Sequence, residues 1–210
     1  RYQRTGDVTP QDWAAEDIFT ALQGRMAGDI LEREAEEDVY YTIDQGMALE
    51  FVSEGYTKSQ NQEALIMIEK IYNSMSDFES TSSNEKVKGY DGAYWRAMQE
   101  GPEGGEALVM AYENDEDYRY CYTNASFWAL IGILNFAATV QGSTIDRENK
   151  YYENASERAL AIIEFCEDET FFNGTGFKEY PYADMANPET KNFYFRTQAL
   201  AVLAYTRLHE

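Results

Sequence analysis

The sequence predicts an all-α fold of repeated antiparallel helical hairpins, about seven helices in all. Two observations carry that expectation. Residues 44–78 read as an apolar helix, a polar turn and a second, amphipathic helix, and the same order returns over residues 124–171. The helix starts also repeat: Ala48-Leu49, Ala129-Leu130 and Ala199-Leu200 each open an apolar run, and residues 63–71 (EALIMIEKI) match residues 158–166 (RALAIIEFC). Self-similarity of this kind marks supersecondary units that bury their apolar faces only by stacking on one another.

Taken in order, residues 1–9 are polar and aperiodic, an N-terminal arm ahead of one helical domain over 10–210. Thr9-Pro10-Gln11-Asp12 opens a helix, because Thr9 can cap, Pro10 suits the first helical position and Asp12 faces the positive end of the dipole. Trp13, Ile18, Leu22 and Met26 fall on one side of it, with Gly24 and Gly28 as weak points, and the acidic run 32–38 ends the segment. In the first hairpin Asp44 is the expected cap and Gly55-Tyr56-Thr57 the expected turn. Leu65, Ile68 and Ile71 with Tyr72 recur at helical spacing and form one buried stripe. Leu160, Ile163 and Cys166 are its expected counterpart.

The polar stretch 80–88 is the best internal boundary. Glycines over 101–105 break the chain before a short helix expected at 106–112. The helix around 129–138 is apolar nearly all round and too short for a bilayer, which predicts burial between neighbours. Residues 171–195, rich in Gly, Pro, Asn and aromatics, form a loop of the length that often carries function, before a last helix over 195–208.

The balance of 38 acidic against 17 basic residues gives a net charge of −21. That disfavours nucleic acid and anionic membrane surfaces as partners. No apolar run predicts membrane insertion. Tyrosine dominates the aromatic residues, and its flat face with a polar tip suits a sugar ring or an oligomer interface equally. Cys121 and Cys166 are too few for a disulfide scaffold; one bridge between them and two buried thiols are even alternatives. A chain that begins at Arg1 reads as one whose signal peptide has been removed, or as an excised piece. The sequons at Asn124, Asn154 and Asn173 point toward glycosylation and an extracellular or cell-surface location, although Asn124 and Asn154 would serve as helix N-caps too.

The one histidine, His209, is penultimate, which excludes a histidine triad and a histidine-rich metal site. No phosphate-binding glycine loop occurs, the cysteines lack metal spacing, and residues 114–117 (NDED) lack the spacing of a calcium loop, so neither metal nor cofactor is expected. What remains is carboxylates beside aromatics. Glycoside hydrolysis needs two carboxyl groups at a set separation. The candidates are Asp44; Asp91 among Tyr90, Tyr94 and Trp95; and Glu179 and Asp184 flanking Tyr180 and Tyr182. The plain alternatives are an N-cap for Asp44, turn or surface positions for the other acids, and core positions for Tyr90, Trp95, Tyr180 and Tyr182.

Asp44, Gln45, Ala48, Leu49, Val52 and Tyr56 resemble the D-Q-x-x-A-L-x-x-L-x-x-x-Y pattern of the α/α-toroid (six-hairpin) carbohydrate-active proteins, the N-acylglucosamine epimerase-like and six-hairpin glycosidase groups. The resemblance covers 44–78 and, more loosely, 124–180 and 195–208. It implies a partial toroid, about half of a full ring of twelve helices. It also implies carbohydrate binding or glycoside-hydrolase-like processing, with Asp44 at the site. A second expectation is a non-catalytic structural subunit of a surface or filamentous assembly, self-associating through residues 1–9. A third is a helical scaffold for a basic or apolar protein partner.

Overall fold

The computed structural model describes residues 19–33, 39–80, 90–100, 108–110, 123–141, 143–146, 149–179 and 193–209. Five helices lie wholly within them: α1 (Thr42–Ser59), α2 (Gln62–Ser74), α3 (Thr123–Val140), α4 (Lys150–Glu167) and α5 (Phe195–His209). The hairpins α1–α2 and α3–α4 coincide with the two sequence repeats, and α5 with the third. Residues 19–23 are also helical. The arm 1–9 and the boundary over 81–88 lie outside the described residues.

The inner helices α1, α3 and α5 form a parallel row, with α2 and α4 as the outer helices of their hairpins. Direction follows from matched contacts. Gly46 of α1 meets Trp128 and Gly132 of α3, and further along Asn135 Nδ2 donates to the Glu50 carbonyl at 2.9 Å. Thr197 of α5 lies at the level of Thr123, through Glu179, while Arg207 reaches Glu50. The three N-termini therefore share one end.

The α1–α3 contact is backbone on backbone. A Cβ placed on Gly46 would stand 2.4 Å from the Trp128 carbonyl oxygen, and one on Gly132 would stand 2.6 Å from the Gly46 oxygen. Only glycine permits that approach. α3 is long and apolar enough to cross a membrane by length and composition, longer than the sequence suggested, yet most of it is buried inside this fold. Phe127, Leu130, Ile133 and Phe136 of α3 fill the core with Leu49, Ile68 and Ile71. Tyr72 of α2 stacks on Phe136 with centroids 4.2 Å apart, and Tyr151 of α4 packs edge-on against both.

A repeated clamp ties the flanking segments to the inner helices. The fourth residue of each inner helix binds the backbone of the segment crossing it. The Gln45 amide pairs with both the N–H and the carbonyl of Leu31, at 2.9 and 2.7 Å. Ser126 Oγ accepts from the Tyr94 N–H at 3.1 Å. Gln198 pairs with both backbone groups of Phe177, at 2.9 and 2.6 Å. This aligns Ala48 and Ala129 with Ala201, not with Ala199 as the Ala-Leu pairs suggest. All three alanines are buried, whereas Ala199 is exposed.

Several expected details fall elsewhere. α1 starts at Thr42, because the Thr42 N–H and hydroxyl are held by the Arg96 and Trp95 carbonyls. Asp44 is thus a first-turn residue and not the cap, which is Tyr41. Gly55-Tyr56-Thr57 stays helical, and the turn forms three residues after Thr57, at left-handed Gln60 with Asn61 capping α2. Asn154 lies inside α4, whose N-terminus is served by Asp146 Oδ1 accepting from the Tyr151 N–H at 2.9 Å. The buried stripe of α4 runs through Ala155, Ala159, Ile162 and Cys166, leaving Leu160 61% exposed.

Among the described residues two small antiparallel sheets decorate the helices. Met26 lies not on a helix but in β1 (Met26–Ala27), paired with β2 (Ile30–Leu31) across a turn whose Gly28 has φ +63°. Glycine at the first central position of a two-residue hairpin suits its twist. β3 (Val39–Tyr41), β4 (Ala97–Glu100) and β5 (Leu108–Met110) form the second sheet, in that order. β5 replaces the short helix expected over 106–112; Leu-Val-Met has the strand propensity to complete the ladder that β4 offers.

Gly132→Ala should lower the melting temperature by roughly 5–10 °C. Forcing apart two packed helices costs about 1–3 kcal/mol, and a domain of this size shifts by about 2–4 °C per kcal/mol. Thermal unfolding by circular dichroism measures it; an unchanged midpoint would remove the close contact from the account.

Candidate functional site

One face of the inner row is left uncovered by the outer helices. On α1 it carries Asp44, Met47, Phe51 and Glu54; on α3, Trp128, Asn135 and Ala138; on α5, Arg196, Leu203 and Arg207. These positions recur every three, four or seven residues, so each set is one helical stripe. Glu50, at the edge of the α1 stripe, reaches past α3 to form an ion pair of 2.6 Å with Arg207. That link brings the C-terminal part of α5 beside the middle of α1.

At the N-terminal end of this face stand two further arginine–carboxylate pairs, each beside a tyrosine ring. Arg33 binds Asp44 with two hydrogen bonds, 2.8 Å from Nε to Oδ2 and 3.1 Å from the terminal nitrogen to Oδ1. Its guanidinium lies 3.8 Å over the Tyr41 ring. Arg196 binds both oxygens of Glu179, with the Nε contact at 2.9 Å, and lies 5.0 Å over Tyr194. Thr197 Oγ1 donates to the same carboxylate at 3.0 Å. The Glu179 backbone carbonyl accepts from the Thr123 N–H at 2.9 Å, so one residue joins the starts of α3 and α5. Two-point Arg–carboxylate pairs are geometrically specific, because the planar guanidinium matches both carboxylate oxygens.

Of the candidates taken from the sequence, Asp44 and Glu179 thus come to the same end of the inner row. Asp91 does not. It is exposed in a turn whose Gly92, φ +77°, presses on the Ala161 carbonyl of the outer helix α4. Tyr90 packs edge-on against Phe171, near Phe165, and Trp95 is 4% exposed within the core. Trp95 is therefore a core residue, and Tyr90 is half-buried. Asp184, Tyr180, Tyr182 and Cys121 lie outside the described residues. Cys166 is a fully buried free thiol whose pKa burial pushes up, with Glu167 adding to the rise.

Sequence reasoning missed Arg33, Phe51, Trp128, Arg196 and the Glu50–Arg207 pair. Only Glu50 gave a signal, as an acid inside the apolar run ALEFV.

A second polar cluster lies on the outer side, where Arg158 of α4 pairs with Glu79 at 2.6 Å and donates to the Tyr94 hydroxyl at 2.8 Å. Burial pushes the Tyr94 phenol far above its usual range, against the opposing pull of Arg158. A phenol fixed neutral and bonded to Glu79 serves to tie α2, α4 and the 79–95 segment together. A cleft of about 740 Å³ lies on another side of α5, between it and the turn 172–177, lined by Phe172, Phe177, Val202, Tyr205 and His209 among others. Gln198 there spends both amide groups on the chain itself, which gives the cleft the character of a packing groove.

No protein-family model matches the sequence, and no curated protein does. Among solved structures the chain is similar in fold to a glycoside hydrolase family 76 mannosidase from Bacteroides thetaiotaomicron, with a TM-score of 0.53 over 85% of this chain and 15% identity. It spans 40% of that protein's length. The architecture is therefore an α/α toroid in part, with parallel inner helices and antiparallel outer ones.

Arg207→Met should destabilise the fold by about 2–4 kcal/mol, because it strands a carboxylate whose Oε2 already has no partner. Adding Glu50→Gln should recover a good part of the loss. A double-mutant cycle by urea unfolding measures the coupling, and additive losses would show the two groups to be independent.

Proposed function

We propose that this chain binds carbohydrate on the uncovered face of its inner helices, as a glycoside-hydrolase-like toroid segment working outside the cell or at its surface. The observation that carries the reading is the composition of that face: flat rings (Phe51, Trp128, Tyr194) interleaved with Arg–carboxylate pairs. A sugar ring presents C–H faces that lie against aromatic rings. Its vicinal hydroxyls both donate and accept, and an arginine beside a carboxylate offers both partners. The likeness to a mannosidase makes mannose-containing polysaccharides the first ligands to try.

Cleavage asks more than binding. Both oxygens of Asp44 and of Glu179 are held by arginines. A general acid must be free to carry a proton to the leaving oxygen, so a bound sugar would have to displace one guanidinium. Asp44 is the better placed, with its side chain 20% exposed against 3% for Glu179. Asp184 is the remaining partner candidate, and Asp91 is the weakest.

An array of neutral and charged oligo- and polysaccharides, probed with folded protein, tests the reading. Binding to mannose polymers is the expected result; a blank array overturns it. Phe51→Ala and Arg33→Gln should each weaken binding about three- to tenfold, the worth of one ring or cation contact of about 0.5–1.5 kcal/mol. Reducing-end release that disappears in Asp44→Asn would assign hydrolysis; binding without release would assign a binding module.

A second reading is favoured by a different observation. Leu49 and Leu130 are wholly buried, whereas Val202, the equivalent residue of α5, is 69% exposed. Phe195 and Leu208 of the same helix are exposed as well. A helix face of this kind suits an assembly in which a second copy supplies the covering surface. Sedimentation velocity of the wild type and of Val202→Glu decides it: an oligomer that the charge dissociates supports assembly, and a monomer in both removes it.

A further inference from the structure

We infer that Asn173 is the N-glycan acceptor of this chain and that Asn124 is not one. The inference goes beyond carbohydrate recognition and does not depend on it. It rests on how differently the fold treats three sequons that look alike in sequence.

An acceptor needs its amide nitrogen within reach of a transferase, its sequon hydroxyl within reach as well, and room for a glycan once the chain is folded. Asn124 fails on two of these. It is 7% exposed in the first turn of α3, and its sequon hydroxyl, Ser126 Oγ, is wholly buried and occupied as the acceptor for the Tyr94 N–H. A glycan there would have to be accommodated between α3 and the segment packed on it. Asn154 is exposed but lies within α4. Its Oδ1 accepts from the Tyr72 hydroxyl at 2.6 Å, while the sequon hydroxyl of Ser156 turns back to the Tyr152 carbonyl at 2.8 Å. Helical geometry thus separates the two groups that the chemistry needs together.

Asn173 meets all three. Asn173, Gly174 and Thr175 are exposed, and Gly174 at φ +86° makes the tight turn. Asn173 Oδ1 accepts from the Thr175 N–H at 3.0 Å, the Thr175 hydroxyl at 2.9 Å and the Gly176 N–H at 3.0 Å. Three donors on the carbonyl oxygen fix the side chain, with Nδ2 directed away from them. Among the described residues nothing engages that nitrogen. In the transfer, Nδ2 attacks the anomeric carbon of a polyprenyl-phosphate-linked oligosaccharide. The N–C bond forms, the carbon–oxygen bond to phosphate breaks with its electron pair leaving on the phosphate, and Nδ2 gives up one proton to a base of the transferase. Phe172, Thr175 and Gly176 line the cleft beside α5. The first sugar would therefore sit at the mouth of that cleft, away from the Arg–carboxylate face.

The test is secretion of the full chain from a eukaryotic host, followed by mapping of the folded, secreted fraction with peptide-N-glycosidase in heavy-oxygen water. Asn173 should be the main occupied site and Asn124 should be bare. Thr175→Ala should remove the Asn173 glycan while Thr175→Ser retains it, which separates loss of the sequon from loss of the fold. A bare Asn173 in secreted wild type, or a glycan on Asn124 of folded protein, overturns the inference.

Discussion

The contact on which the rest depends is the backbone approach of α1 to α3 at Gly46 and Gly132. With no side chain between them, the two helices run side by side for most of their length and share one level. That fixes their N-termini at one end and holds Asn135 against the Glu50 carbonyl. The Glu50 side chain, on the same helix as Gly46, pairs with Arg207 of α5. Widening the α1–α3 contact would draw Asn135 away from the Glu50 carbonyl. The uncovered face is in that sense a product of two glycines that never touch it.

The charge distribution follows a similar logic. A chain of net charge −21 repels itself, and its arginines are too few to neutralise it. Arg33, Arg196 and Arg207 stand on or beside one face, each opposite a carboxylate. The pairing makes that face nearly neutral and dense in hydrogen-bonding groups, unlike the acidic surface around it. The exposed Arg33–Asp44 pair contributes little to stability, because solvent screens it. Its more telling effect is orientation: two hydrogen bonds and a tyrosine ring hold the guanidinium in one place.

Period and composition made the helices legible. Leu65, Ile68, Ile71 and Tyr72 announced α2, and all are buried. In α4 Cys166 is buried as read and Ile163 packs against the core, but Leu160 is exposed and Ala159 and Ile162 take the inward positions, since Leu160 and Ile162 are equally apolar in sequence and only packing against the core distinguishes them. The strand at Leu108–Met110 could not be seen, because three apolar residues have no decisive period and owe their form to the ladder of β4. Of the candidate site, Asp44 and Glu179 were named from their neighbours, but their partners were not. Arg33 and Arg196 lie 11 and 17 residues away in sequence, and Arg207 is 157 residues from Glu50. No local pattern encodes such pairs; they exist only once the inner row has assembled. Trp95 is the converse case, a residue whose aromatic company suggested a surface platform and whose company is in fact the core.

The third hairpin shows what the repeat requires. Gln45 and Gln198 make the same two-point clamp from the same position in their helices, and Ala48 and Ala201 are buried alike. α5 therefore has the inward half of the pattern intact. One residue further on the match ends, with Leu49 wholly buried and Val202 exposed. In the first two units the outer helix follows its inner helix and covers that side; among the described residues nothing does so for α5. A stacked unit draws its stability from intrinsic folding and from its interfaces, and α5 rests on α3 through Thr197, Ala201 and Ala204, with Leu200 and Tyr205 half-buried beside them. The Glu179 and Glu50 ion pairs at its two ends then acquire a structural reason. They fasten near both termini a helix whose Val202 face no described residue covers as Leu49 and Leu130 are covered.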